Sequence, residues 1–171
     1  MAGVAVCRCI REVSDLDARI KWPNDVLVNG RKVAGVLTEM EAWGGRIHHL
    51  VVGIGINVNT PLDKLTEALQ DKAGSLAQEA GRPFSRARVL GALLWEMEQL
   101  WEALRAEGFE SIRGAWRSLS DTLGVRVRVE GKGTAVLGRA EDLDEDGSLL
   151  VRGDDGAMHR VSHGEVTVVP V

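Results

Sequence analysis

Hydrophobic residues recur at helical spacing at the start of the chain and switch to strand-like alternation near Ile20. Val4, Cys7, Ile10 and Arg11, with small residues between them, predict a helix over residues 2–13. Beyond Ile20, Val26-Leu27-Val28, then Asn29-Gly30, then Arg31-Lys32-Val33 read as two strands joined by a tight turn. Asn-Gly suits the primed turns of hairpins, whose backbone twist matches that of the flanking strands. The second strand continues to about Trp43, Gly44-Gly45 supplies another two-residue turn, and residues 46–58 return as a third strand ended by Pro61. With two residues in each turn, Asn24 falls level with Gly35 and Ile54, Asp25 with Ala34 and Gly55, and Lys32 opposite Asn57. A bulge at Gly35 or Gly55 would shift that register.

Polar residues dominate 62–82, with a short helix predicted from Ser75 to Ala80. Ser85 caps a helix from Arg86 to about Ala106, whose apolar stripe is Val89, Leu93 and Met97 with Leu90, Leu94, Trp101 and Leu104. Gly108 stops it. A further amphipathic helix is predicted from Phe109 to Leu123 through Ile112, Trp116 and Leu119. Alternation then resumes in short runs at 125–129, 134–138, 148–151, 157–161 and 165–169, with turns at Glu130-Gly131-Lys132-Gly133 and at Asp144–Gly147. That pattern reads as a small SH3-like β-barrel.

Composition narrows the function classes. A net charge of −4 argues against nucleic acid as a partner, because phosphate neutralisation needs a clustered basic surface. Residues 2–10 are too short to span a bilayer and follow no basic region, so they predict neither a signal peptide nor a membrane anchor. Cys7 and Cys9 are two residues apart, where a disulfide would be strained; they read as reduced, packed side chains of a cytoplasmic protein. His48 and His49 point to opposite sides of a strand without a third ligand, and no metal centre is expected there. Trp95 and Trp101 read as core or edge packing, Glu141–Asp146 as a solvated turn, and Glu41 as an exposed charge.

One end of the predicted meander collects Asn24, Asp25, Lys32 and Asn57 beside Gly35, Gly53 and Gly55. Glycines inside strands mark bulges or a close approach to the backbone. A cation beside amides and a carboxylate suits an anionic ligand that reacts with a neutral amine. Spacing alone also allows a plainer reading: a turn at Asn24-Asp25, a solvated charge at Lys32, and glycines that relieve crowding.

Three segments carry a resemblance: Lys21-Trp22-Pro23-Asn24-Asp25, Arg31-Lys32-Val33-Ala34-Gly35 and Gly53-Ile54-Gly55-Ile56-Asn57. In order and spacing they are similar to the signature segments of the biotin protein ligases, and the C-terminal strands resemble that family's small capping domain. The resemblance implies an α+β fold: a remnant of a class II synthetase-like mixed sheet with flanking helices over residues 1–122, then an SH3-like β-barrel over 123–171. It implies a cytoplasmic enzyme that joins biotin to ATP, with Mg²⁺, giving biotinyl-adenylate and pyrophosphate. The biotinyl group then passes to a lysine of a biotin carboxyl carrier domain. In that reading Lys32 holds the biotin carboxylate and stabilises charge on the acyl phosphate. Asp25 orients the incoming amine and helps remove its proton. Asn24 and Asn57 meet phosphate or the surroundings of the metal, and Lys21 assists with phosphate. Gly35, Leu37, Gly53, Ile54 and Gly55 line the cleft for biotin and adenylate.

The family also carries an arginine- and glycine-rich loop and further strands upstream of the first segment, and this sequence contains neither. It also lacks the winged-helix DNA-binding domain of the family's repressor subclass. The chain therefore reads as a ligase complete only with an N-terminal part, either half of a split enzyme or a shortened product, or else as a degenerate relative that kept the scaffold for another role. The alternative function is a non-catalytic module that binds a carrier protein or dimerises. Lipoyl or octanoyl transfer, on a related fold, is disfavoured by Lys21–Asp25 and by the C-terminal strands. Homodimerisation through sheet edges is a further expectation.

Overall fold

The computed structural model describes residues 1–62, 66, 71–130 and 135–169. The turn predicted at residues 130–133, apart from Glu130, lies outside them, as does part of the polar stretch 62–82. Helix α1 (Ala2–Ser14) is followed by β1 (Arg19–Lys21), β2 (Asp25–Val28), β3 (Arg31–Trp43) and β4 (Arg46–Ile56). Then come α2 (Leu76–Ala80), α3 (Arg86–Glu107) and α4 (Phe109–Leu119). The chain closes with β5 (Arg126–Glu130), β6 (Ala135–Leu143), β7 (Leu149–Gly153), β8 (Met158–Val161) and β9 (Glu165–Val168).

Strands β1–β4 form one sheet in chain order, antiparallel at every ladder. The expected mixed sheet is thus not found among the described residues. The two turns explain why: Asn29-Gly30 (φ 51° and 76°) and Gly44-Gly45 (φ 59° and 73°) reverse the chain in two residues, which leaves only antiparallel neighbours. Among the described residues, parallel contact is limited to single bridges, Ile20 with Ser120 and Lys32 with Ala73. Helix α1 lies on this sheet and packs against α3 and α4, burying Val4, Val6 and Ile10 with Ile20, Val26, Val28 and Val33.

Cys7 and Cys9 are free and buried in that layer, their thiols donating to the carbonyls of Ala18 (3.0 Å) and Val89 (3.3 Å). Burial pushes both thiols up from 9.0 to about 11. Native protein at pH 8 is therefore expected to resist iodoacetamide at both positions, whereas urea-unfolded protein alkylates rapidly, as read by peptide mass spectrometry. The folded chain retains these protons where the unfolded one loses them, so stability falls as pH rises through about 9 to 11.

Helix α4 ends at Leu119, short of the predicted Leu123. The Ser120 hydroxyl accepts from the amides of Thr122 (3.0 Å) and Leu123 (3.1 Å), and the Asp121 amide donates to Ile20, so local side-chain bonds replace the next helical turn. The C-terminal strands run β8-β7-β6-β5-β9 as an open antiparallel sheet; the four-residue strands β8 and β9 sit at opposite edges, and no closed barrel forms among the described residues. Nor is the acidic run merely a solvated turn. Glu141 pairs with Arg152, Asp142 with Arg117, and both Asp144 and Asp146 with Arg160.

Two apolar surfaces stay uncovered among the described residues. The outer half of the β3–β4 ribbon exposes Leu37, Met40, Trp43, Ile47, Leu50 and Val51. Helix α3 buries only Val89, Leu93 and Leu100; Leu90, Leu94, Trp95 and Trp101 face outward, each more than half exposed. The expected packing of the two tryptophans is therefore not found. Helix α1 covers a narrower stripe than the predicted one. His48 is the extra residue of a bulge in β4 and stacks on Trp43, while His49 faces Glu41.

Candidate active site

A single transverse row crosses the first sheet: Lys21 on β1 opposes Asp25 on β2, which opposes Gly35 on β3, which opposes Gly55 on β4. Opposed residues share a face, so all four look to the same side. The row arises from two bulges: Val33 is the extra residue between the pairs Val26–Ala34 and Leu27–Lys32, and His48 is the extra residue in β4. The His48 bulge brings Gly55 instead of Ile54 level with Gly35 and sets Asn57 beside Val33, not opposite Lys32. The Val33 bulge corrects the turn-based register by one position: Gly35, not Ala34, lies level with Asp25. It also keeps Lys32, opposite Leu27, on the face of Asp25. Lys32 Nζ lies 2.6 Å from Asp25 Oδ1. That oxygen is buried and makes no directed hydrogen bond among the described residues, where the Lys32 ammonium is its electrostatic partner.

The surrounding cleft has a volume of about 900 Å³. It takes in Lys21, Asp25, Lys32, Gly35, Gly55 and Asn57. Asn24 borders an adjoining recess with Lys21, Asp25 and Lys32. Leu37 and Gly53 lie farther out along the exposed ribbon, and Ile54 packs against the core on the opposite face; none of the three lines the cleft.

Both asparagines are engaged with backbone. Asn24 donates through Nδ2 to the Val36 carbonyl (2.9 Å), and its own carbonyl accepts from the Val36 amide, which prolongs the β2–β3 ladder. Asn57 donates through Nδ2 to the Gly74 carbonyl (3.1 Å). That bond secures residues 71–74, which run beside β3: Lys32 donates its amide to Lys72 and accepts from Gly74. Asn59, not singled out by sequence, both donates to and accepts from the Phe84 backbone.

Several cleft residues carried no signal in the sequence. Asp71 and Lys72 come from the aperiodic polar stretch, Asp121 and Thr122 from the turn that follows α4, and Glu165, Thr167 and Val168 from β9. The last group arrives because the C-terminal module is tied to the Lys21–Asp25 segment. Trp22 donates its amide to Thr122 Oγ1 (2.9 Å) and its indole N–H to the Gly147 carbonyl (3.2 Å). Arg117 on α4 holds Asp142 on β6 with two bonds of 2.6 and 2.7 Å, which keep that carboxyl below its ordinary range. Three lysines and four carboxylates thus line a cleft that also takes in Gly30, Gly35 and Gly55. No three His, Cys, Asp or Glu residues group to hold a metal among the described residues.

Residues 1–57 match the Biotin/lipoate A/B protein ligase family, and residues 122–169 match the Biotin protein ligase C terminal domain. The chain belongs to the biotin protein ligase family. It is 36% identical over 156 residues to the bifunctional ligase/repressor BirA of Bacillus subtilis, covering 91% of this chain and 48% of that protein. It is 35% identical over 139 residues to the biotin–[acetyl-CoA-carboxylase] ligase of Paracoccus denitrificans, covering 80% and 58%. The apo biotin protein ligase of Aquifex aeolicus superposes with a TM-score of 0.85 at 28% identity, over 99% of this chain and 73% of that one. The same enzyme in complex with biotin and ATP gives 0.81, over 99% and 69%. This family member thus spans about half the length of the curated relatives it matches.

Proposed function

We propose that this chain carries the cation–carboxylate pair of an ATP-dependent biotin ligation, complete only with an N-terminal part like that of its longer relatives. Lys32 and Asp25, 2.6 Å apart in the cleft, are the observation that carries this reading. A biotin carboxylate oxygen attacks the α-phosphorus of ATP and pyrophosphate leaves. Lys32 balances the charge on the carboxylate and then on the acyl phosphate. The carrier lysine amine next attacks the acyl carbon, AMP leaves, and Asp25 accepts the amine proton. Lys21 and Lys72 face the same cleft and suit phosphate. Mg²⁺ enters bound to ATP, as part of the substrate. Asn24 and Asn57 act by shaping the mouth of the cleft.

In the same reading residues 1–122 are a partial catalytic domain and residues 123–171 an SH3-like cap, in a cytoplasmic protein that keeps Cys7 and Cys9 reduced. The open apolar ribbon and the outward flank of α3 favour a covering polypeptide. The same surfaces also favour a second reading, a non-catalytic module that binds a carrier domain or pairs with its own copy. One assay separates the two: labelled biotin, ATP, Mg²⁺ and apo carrier domain, with this chain alone and with a separately made N-terminal fragment. Label on the carrier lysine only with both pieces is the expected result. Carrier binding without transfer under any combination would favour the module instead.

A further inference from the structure

We infer that Gly35 is a positioning residue that seats the Lys32 side chain against Asp25. A Cβ built at Gly35 would lie 3.2 Å from Lys32 Cε, 3.3 Å from Lys32 Nζ and 3.6 Å from Asp25 Oδ1. The end of the lysine chain therefore rests across bare backbone, in the space a side chain would occupy. Among the described residues, Gly55, next to it in the same row, has nothing within 4 Å of its built Cβ, and Gly53 meets only ordinary contacts with Leu37. Neither Gly35 nor Gly55 has a positive φ, so no backbone conformation demands glycine at either place. The two glycines divide the work. Gly35 makes room for a neighbour's side chain, whereas Gly55 leaves open floor.

The Val33 bulge makes this arrangement possible. It sets Gly35 opposite Asp25 while keeping Lys32 on the same face, so the lysine reaches the carboxylate by crossing Gly35. A methyl group at position 35 meets the far end of a flexible chain, which moves aside at little cost to the fold. What moves is the ammonium. Gly35→Ala should therefore leave stability nearly intact and selectively disturb the Lys32–Asp25 pair.

The ligand-free test is competitive acetylation with trace acetic anhydride, each lysine read by peptide mass spectrometry. An amine pinned to a carboxylate acylates more slowly than a free one. Asp25→Asn sets the scale by removing the partner's charge, and a several-fold rise at Lys32 is expected. Gly35→Ala should raise Lys32 labelling in the same direction, with Lys21 and Lys72 unchanged, while Gly55→Ala leaves Lys32 as in the wild type. Unchanged Lys32 labelling in Gly35→Ala, or an equal rise at every lysine, would overturn the inference.

A second readout rests on the proposed ligation: in the completed enzyme, Gly35→Ala should lower kcat for adenylate formation more than it raises KM for ATP. A KM effect alone would instead mark Gly35 as a nucleotide contact and overturn the positioning role. If the wild-type pieces transfer no biotin, the ligation reading fails, and the acetylation result still decides the role of Gly35.

Discussion

Lys32→Ala in the completed enzyme is expected to abolish adenylate formation, whereas Asp25→Asn retains it and slows transfer to the carrier lysine. The two residues touch, so the separation rests on their chemistry and not on their distance. The first step gathers negative charge on a carboxylate, a phosphorane-like centre and the acyl phosphate, and Lys32 is the cation of the pair. Removing one preorganised charge-stabilising group typically costs about 10²–10³ in rate. The loss at Lys32 is expected at or above the upper end, because Asp25, with a buried oxygen, then faces the anionic ligand without its counter-ion. The second step creates a cationic amine that must lose a proton, and positioned general bases contribute about 10²–10⁴. Pyrophosphate release reports the first step; transfer from preformed biotinyl-adenylate reports the second. Equal loss of both steps in both variants would contradict the assignment of separate roles.

Trp22→Ala is expected to cost about 3–5 kcal/mol of stability, the range for deleting a buried large aromatic side chain. Trp22 is 4% exposed and lies between the first sheet and the C-terminal module. Its ring fills space beside residues of both, and its indole N–H satisfies the Gly147 carbonyl. Trp22→Phe keeps most of the ring and loses that bond, at about 1 kcal/mol. Urea unfolding checks both values. Because Lys21 and Asp25 flank Trp22, the alanine variant should also make the junction around residues 119–126 more sensitive to limited proteolysis. A cost below about 1 kcal/mol for Trp22→Ala would show that the tryptophan does not hold the two parts together.

The sequence was most legible where structure follows from neighbours along the chain. Asn29-Gly30 and Gly44-Gly45 specify two-residue reversals, and the strands on either side follow from alternation. Ser75 and Ser85 accept from the Gln78 and Arg88 amides and start their helices where capping chemistry predicts. Asp25, Lys32, Gly35, Gly55 and Asn57 were gathered at one end of the sheet by hairpin register, whereas Lys21 was singled out only by the family resemblance; the cleft takes in all six.

Failures came where the next element decides. A bulge costs one residue of register, and no local pattern marks Val33 as the extra one; Asn57 and residues 71–74, distant along the chain, bond to β3 at Lys32 and Val33. Gly53 and Ile54 belong to a signature segment and Leu37 follows another, yet all three fall outside the cleft, since alternation sends Ile54 inward and length carries Leu37 and Gly53 away. Leu90, Leu94, Trp95 and Trp101 have the chemistry of core residues, but burial depends on what packs against a helix face, and α1 covers only part of α3.

By itself the sequence determined the strand order of the meander and the helix starts. Both depend on backbone preferences and side-chain period, which act over a few residues. Only the tertiary structure decided that Lys21, Asp25, Gly35 and Gly55 form one row, that Lys32 crosses Gly35, and that Glu165 and Thr167 close the cleft. Those facts depend on pairing between segments distant along the chain, where hydrogen-bond satisfaction and excluded volume select one register among several that the local pattern allows equally.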